Sequence, residues 1–201
     1  MNRRGSVSLE VALLFPLAVM VLVGFSEMYF YIRAAAIIER VAFSVADSVA
    51  KRVTLTDCAW ESNSSFLGTH MLMAQVTSQP LDLTKSGQVI VSAVVDDGGN
   101  PNVIWQRRSS YTLDQNSVLG KQGKQPVLPK DMVVAPVAGT QPDTLVVAEV
   151  FYKFQPFAGI RNLLPTLPLD VTLARRAYAR ARVGSLANLG AQTGCPALPQ
   201  P

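Results

Sequence analysis

From Val11 to Ser26 the chain runs sixteen residues without a charge, and Glu27 ends the run. As a helix rising 1.5 Å per residue, that stretch spans about 24 Å, a little short of a hydrocarbon core of about 30 Å. Ser6–Leu9 on one side and the Met28–Tyr31 patch on the other make it long enough to cross a bilayer, with a transmembrane segment at about 10–31. Tyr29 and Tyr31 suit the outer interface, where amphipathic rings collect. Pro16 removes one backbone donor inside the run and predicts a kink, tolerated in a span because neighbouring groups re-satisfy the freed carbonyl.

The helical period does not stop at the membrane. Ile37, Ile38, Val41, Val45 and Val49 recur at helical spacing, while Arg33, Glu39, Arg40, Asp47 and Lys51 take the other positions. The pattern predicts one long helix over 6–53, its first half transmembrane and its second half amphipathic. Residues 54–201 then read as an α+β head. Asn63-Ser64-Ser65 is placed to cap a short helix over Phe66–Val76. Gln88–Val95 alternates with Val89, Val91, Ala93 and Val95 on one face. Asp96-Asp97-Gly98-Gly99-Asn100-Pro101 is turn chemistry, and Val103–Leu113 alternates again, so the three predict a β-hairpin. Ser117–Pro136 reads as a loop with an apolar exit at Met132–Ala135. Thr144–Phe154 is a strand with Val146, Ala148, Val150, Tyr152 and Phe154 on its apolar face. Pro156, Pro165 and Pro168 interrupt the chain before a last strand over Val171–Val183. There Ala177, Ala179 and Ala181 face one way, and Arg176, Tyr178, Arg180 and Arg182 the other. The alanine face admits close approach by the long helix; the arginine face reads as solvated. The fold class expected is a long N-terminal helix packed on a small antiparallel sheet.

Charge changes the picture at the N-terminus. Arg3 and Arg4 form a basic tip that the positive-inside rule keeps cytoplasmic. Gly5 and Ser6 follow, and Glu10 stands at the mouth of the apolar run. A charge at mid-bilayer costs about 2.5–3.5 kcal/mol, so Glu10 needs a partner. Cleavage after Gly5 would make Ser6 the new N-terminus and place its ammonium close to Glu10. An ordinary secretory signal peptide and an uncleaved signal anchor are the rival readings. Glu10 interrupts the join between a basic tip and an apolar core, and Ser26-Glu27-Met28-Tyr29-Phe30-Tyr31 offers no small-x-small cleavage site.

The net charge of +4 does not indicate nucleic acid, since it divides between the N-terminal tip and the last strand, with no recognition helix, zinc spacing or aromatic-basic pattern. Cys58 and Cys195 are the only cysteines. An even count outside the cytoplasm favours a disulfide, two free thiols being the alternative. Closing so long a loop is worth roughly 5 kcal/mol in the chain-entropy model. His70, the only histidine, reads as a surface or partly packed residue. No nucleophile elbow or Cys–His pairing is present. Gly120-Lys121-Gln122-Gly123-Lys124 is not a phosphate loop, because no Ser or Thr follows the lysine. Asp96–Asn100 lacks the spacing of a calcium loop. No enzyme activity, metal or cofactor is expected.

The leader Arg3-Arg4-Gly5 followed by Ser6-Val-Ser-Leu-Glu10 resembles that of the TadE-like minor pilins of tight-adherence (Flp-type) pili. Pro101-Asn-Val-Ile-Trp105-Gln106-Arg107 resembles that family's hairpin motif, Val147-Ala-Glu149-Val-Phe151-Tyr152 its late strand, and Arg180-Ala-Arg182-Val-Gly184-Ser185-Leu186 its closing motif. The resemblance covers most of the chain. Val11 departs from it, where an aromatic or alanine is common, and the cysteine pair is not a family requirement. The resemblance implies a pilin-like fold and an inner-membrane prepilin with its N-terminus cytoplasmic and its head periplasmic. It implies cleavage after Gly5 by a prepilin peptidase, Ser6 as the new amine and Glu10 as its neutralising partner. The implied partners are that peptidase, the major pilin and other minor pilins, the inner-membrane assembly platform and membrane lipid. A membrane-anchored periplasmic or surface binding domain and a type II secretion pseudopilin stay open as alternatives.

Overall fold

The computed structural model describes residues 3–96, 100–130, 132, 134, 143–157, 170–182 and 186–201, with side chains from Glu10 onward. Helix α1, Arg3–Ala50, is 48 residues long and helical through Pro16, which makes a rod of about 72 Å. It starts three residues earlier and ends three residues earlier than its pattern predicts. The chain then passes through β1 (Thr56–Asp57), α2 (Leu67–Thr77), α3 (Leu83–Ser86), β2 (Gly87–Asp96), β3 (Pro101–Arg108), β4 (Thr144–Phe154), β5 (Val171–Arg180) and β6 (Gly190–Ala191). Strands β3-β2-β4-β5 form a four-stranded antiparallel sheet, and β1 pairs with β6 in parallel. The layout is α+β and consistent with a pilin-like fold.

The second half of α1 lies across one face of the sheet. Ile37, Ile38, Val41, Val45 and Val49 are all buried, and Ile38, Val41, Val45 and Val49 are completely so. Burial of each such side chain contributes about 1.5–3 kcal/mol. Ala34, Ala35, Ala42, Ala46 and Ala50 are buried between them, and these small residues let the helix axis sit close to the strands. The opposing surface is Val89, Val91 and Ala93 of β2, Val146, Ala148 and Val150 of β4, and Leu173 and Ala177 of β5. Ala179 and Ala181 pack against the same core, so the alanine face of the last strand meets the helix.

The opposite face of the sheet is covered too. Val94, Val103, Leu119, Val134, Leu145 and Val147 form a second core, with Leu128, Met132 and Tyr178 at its margin. The connection after β3 is therefore a layer on the outer face, and Met132 and Val134 of the predicted apolar exit belong to it. Gly120 and Gly123 adopt positive φ angles of 124° and 75°, and the turn they shape docks on the edge of β3. Val103 donates to the Lys124 carbonyl at 3.0 Å and accepts from the Gly123 N–H at 2.7 Å.

Two strand ends, one helix cap and one added helix also differ from the sequence pattern. Strand β3 ends at Arg108 because the ladder is only half kept at Ser109: its N–H donates to the Val89 carbonyl at 2.8 Å, but its hydroxyl, not its carbonyl, accepts from the Val89 N–H at 3.0 Å. Tyr111 then crosses to α2, donating its hydroxyl to the Met71 carbonyl at 2.7 Å. Strand β5 ends at Arg180, and Arg182 leaves the arginine face to meet α1, donating its N–H to the Ala50 carbonyl at 3.0 Å and its guanidinium to Asp47 at 2.8 Å. Asn63-Ser64-Ser65 does not cap α2 through a side chain. The Asn63 carbonyl accepts from the Phe66 N–H, and the Cys58 carbonyl takes the Gly68 N–H, each at 2.9 Å. Helix α3 was not expected; Asp82 caps it by accepting from the Thr84 and Lys85 N–H groups. Residues 97–99 of the hairpin turn, Val133, Ala135 and Pro136 of the loop exit, Pro165, Pro168, and Val183, Gly184 and Ser185 lie outside the described residues.

Among the described glycines, Gly68 marks the tightest approach. A Cβ there would lie 2.4 Å from the Ala59 carbonyl oxygen, a backbone atom that cannot swing away, whereas one at Gly24 meets nothing within 4 Å. Gly68→Ala is expected to destabilise the head by about 1–3 kcal/mol, a fall of several degrees in Tm. Gly24→Ala leaves it unchanged in thermal unfolding of the detergent-solubilised protein.

Candidate functional site

The first half of α1 presents its apolar side chains outward. Leu13, Met20 and Leu22 are 71%, 75% and 67% exposed, and the same holds for Phe15, Leu17 and Phe25 around the helix. A water-soluble surface rarely carries so large an apolar patch. Helix α1 is long and apolar enough to cross a membrane, which is compatible with a single-pass membrane anchor. Glu10 is exposed at the start of this stretch and forms no hydrogen bond or ion pair among the described residues. Gly5 and Ser6 fall in the opening turns of the same helix. Four residues of helix rise about 6 Å, so an amine at Ser6 would stand about one turn from the Glu10 backbone.

At the far end the head is stapled. Cys58 and Cys195 are disulfide-bonded, their Cα atoms 5.5 Å apart across 137 residues of sequence. The neighbouring Asp57 carboxylate does two jobs. One oxygen accepts from Arg107 Nε at 2.7 Å, and the other from the Leu198 N–H at 3.0 Å. Ala59 donates to the Pro196 carbonyl, and Arg108 to the Pro199 carbonyl, each at 2.9 Å. Trp105 Nε1 donates to the Leu186 carbonyl at 2.7 Å. The C-terminal tail thus covers part of the β3 edge and locks the exit of α1 to the sheet. The disulfide and the Glu10 motif lie at opposite ends of the molecule: Glu10 and Ala34, where burial against the head begins, are 24 residues apart, about 36 Å of helix.

Several buried polar groups carry roles that the alternation pattern hides. Glu149 is completely buried on the outer face of the sheet. It accepts from the Ser117 hydroxyl and from the Val118 N–H, the latter at 3.1 Å. Burial pushes its pKa up, and these two donors oppose that rise. Gln106 Nε2 donates to Ser92 at 2.8 Å, and the Gln88 side-chain oxygen accepts from the Gln115 N–H. This row holds the covering loop to the sheet. His70 is not a surface residue: it is buried between α1 and α2. Its Nδ1 lies 2.9 Å from Ser48 Oγ and its Nε2 3.1 Å from the Ser64 carbonyl. The carbonyl can only accept, so Nε2 carries the proton and Nδ1 accepts from the serine. With both nitrogens engaged it bridges two helices and the loop before α2.

No protein-family model, curated protein or solved structure matches the chain. Among the described residues no cluster of His, Cys, Asp and Glu could hold a metal ion. The residues singled out in the sequence divide into a structural pair, Cys58 and Cys195, and a helix, exposed from Glu10 through Ile32 apart from a few half-buried positions, whose first turns carry Gly5, Ser6 and Glu10.

Burial, with the nearby Arg52 charge, lowers the His70 pKa from 6.5 to about 4. Below pH 6.5 the unfolded chain takes up a proton that the folded protein refuses until about pH 4. Stability from this group is full above 6.5 and falls with pH across that window, by on the order of 3 kcal/mol. NMR titration should find the imidazole neutral at pH 5.5 in the folded head, and His70→Gln should flatten that part of the stability profile. A folded-state pKa near 6.5 would contradict the burial argument.

Proposed function

We propose that this chain is a minor pilin or pseudopilin subunit of the TadE-like kind, taking part in assembly of a tight-adherence (Flp-type) pilus. The observation that carries the reading is the continuity of α1. One unbroken helix has its amino-terminal half uncovered and apolar and its carboxy-terminal half built into the head. Such a helix suits two environments in turn, lipid before assembly and the apolar core of a filament after it.

In this reading the chain inserts with Arg3 and Arg4 cytoplasmic and the disulfide-closed head periplasmic. A prepilin peptidase cuts after Gly5, where a residue without a side chain lets it approach the backbone. The helix spans the bond to be cut, so cleavage requires its first turns to open, as helix ends do readily. The Ser6 ammonium then neutralises Glu10 of the same or a neighbouring subunit. A charge pair recovers what an isolated carboxylate costs in an apolar core and favours one axial register. The chain itself supplies no energy for extraction; a separate motor on the inner-membrane platform does. The major pilin and other minor pilins are its partners in the filament.

Mass analysis of the N-terminus of the membrane-extracted protein, with and without the peptidase, tests the reading. A peptidase-dependent start at Ser6 is expected; an intact Met1 start would point instead to an anchored binding domain. Gly5→Leu should abolish the mature-sized band. Glu10→Ala should insert and be cut normally yet enter the pilus at about a tenth of the wild-type level or less, given the cost of an unpaired charge in an apolar medium. Normal incorporation of that variant would remove the charge-pairing role.

A further inference from the structure

A cavity of about 450 Å³ opens where α1 meets the lower rim of the head, between Glu27, Phe30 and Arg33 on the helix and the end of β4 at Tyr152–Gln155. Its floor is apolar, made by the buried Ala34 and Ile37. Beside it, the Tyr31 and Phe154 rings meet edge to face with centroids 5.6 Å apart. Two opposite charges, Glu27 and Arg33, face this groove without a side-chain partner among the described residues. Lys153, which also lines it, is already engaged by Asp170 at 2.8 Å.

The depth of the groove follows from the helix. The uncharged run ends at Ser26 and the interfacial Tyr29 and Tyr31 follow, so the outer edge of the hydrocarbon falls between Glu27 and Tyr31. Glu27 and Arg33 are six residues apart, about 9 Å along the axis. A headgroup layer is about 5–8 Å thick on each side of the core. The groove therefore lies at headgroup level, continuous below with the exposed apolar face of α1. Two unpaired charges of opposite sign are poor complements to a purely anionic headgroup, which Glu27 would repel. They are also poor complements to a choline headgroup, whose quaternary nitrogen has no N–H to donate.

We propose that this groove binds one phospholipid with a phosphoethanolamine headgroup: Arg33 donates to the phosphate, Glu27 accepts from the primary ammonium, and an acyl chain lies along Phe30. The lipid fills the seam between helix and head while the protein resides in the membrane. The proposal requires α1 to cross a bilayer but is independent of cleavage at Gly5 and of filament assembly.

The test uses the full-length protein in vesicles of equal phosphatidylethanolamine, phosphatidylcholine and phosphatidylglycerol, followed by native mass spectrometry of the extracted protein. Retention of one phosphatidylethanolamine about fivefold over the other two is expected, the ratio that ~1 kcal/mol from an exposed ion pair gives. Glu27→Leu should erase the preference over phosphatidylcholine, Glu27→Gln should weaken it, Glu27→Asp should keep it, and Arg33→Gln should lower retention of all three lipids. Equal retention by the wild type, a preference for phosphatidylglycerol, or an unchanged preference in Glu27→Leu overturns the proposal. So does extraction as a lipid-free dimer, which would give the groove to a second copy. A chain that fails to float with the vesicles removes the premise, and that result is read separately from pilus processing.

Discussion

The packing of α1 on the sheet is the interaction on which everything else depends. Ile38, Val41, Val45 and Val49 share one core with Val146, Ala148 and Val150 of β4 and Leu173 and Ala177 of β5, the two strands nearest the helix. The alanines between them bring helix and strands close. Because the same helix continues without a break into the exposed apolar half, the head is carried on the rod, not tethered to it. A force on the head is transmitted directly to the buried half of the helix. Ion pairs at the margin set register more than they add stability: Arg182 with Asp47 at 2.8 Å and Arg175 with Glu39 at 3.8 Å are largely solvated, and exposed pairs contribute little.

The sheet itself is a middle layer. All ten residues of β2 are buried, since α1 covers one face and the long connection after β3 the other. On that outer face the covering loop supplies backbone N–H groups to the Gln88 side-chain oxygen and to Glu149 and the Ser117 hydroxyl to Glu149, while the Gln106 amide donates to Ser92 within the sheet and to the Gly120 carbonyl of the loop. A buried carboxylate costs several kcal/mol unless it is hydrogen-bonded, so Glu149 ties the loop to the sheet through Ser117 and Val118 in addition to the apolar contacts. The tail completes the enclosure through Asp57, Arg107 and the Cys58–Cys195 bond. Much of the β3 edge, a surface open to unwanted pairing in an isolated sheet, is thereby occupied by its own chain.

Function in the proposed reading follows from the contrast between the two ends of α1. At the head end every large side chain facing the sheet is covered. At the amino-terminal end the apolar side chains are exposed and the one carboxylate lacks a described partner. Such a rod is complete only in a medium that supplies both apolar contact and a counter-charge. The groove at Glu27 and Arg33 repeats that logic at the membrane surface, with two charges held open at the depth where lipid headgroups lie.

The amino-acid sequence by itself determined the long helix, its buried stripe at Ile37, Ile38, Val41, Val45 and Val49, the antiparallel strands, and the alanine face of β5. These are local periodicities, and burial on one face leaves a repeat of 3.6 or 2 in the residues themselves. The Cys58–Cys195 pairing was legible because only two cysteines exist. Tertiary structure alone decided the rest. Glu149 occupies a position that alternation assigns to solvent, and it is buried only because a loop more than thirty residues upstream folds over it. His70 reads as a surface or partly packed residue until Ser48 of α1 and the Ser64 carbonyl close on its two nitrogens. Arg182 continues the arginine alternation yet turns back to Asp47, 135 residues away. The groove at Glu27 and Arg33 exists only where β4 ends against the helix. In each case the deciding partner is distant in sequence, and the local pattern carries no trace of it.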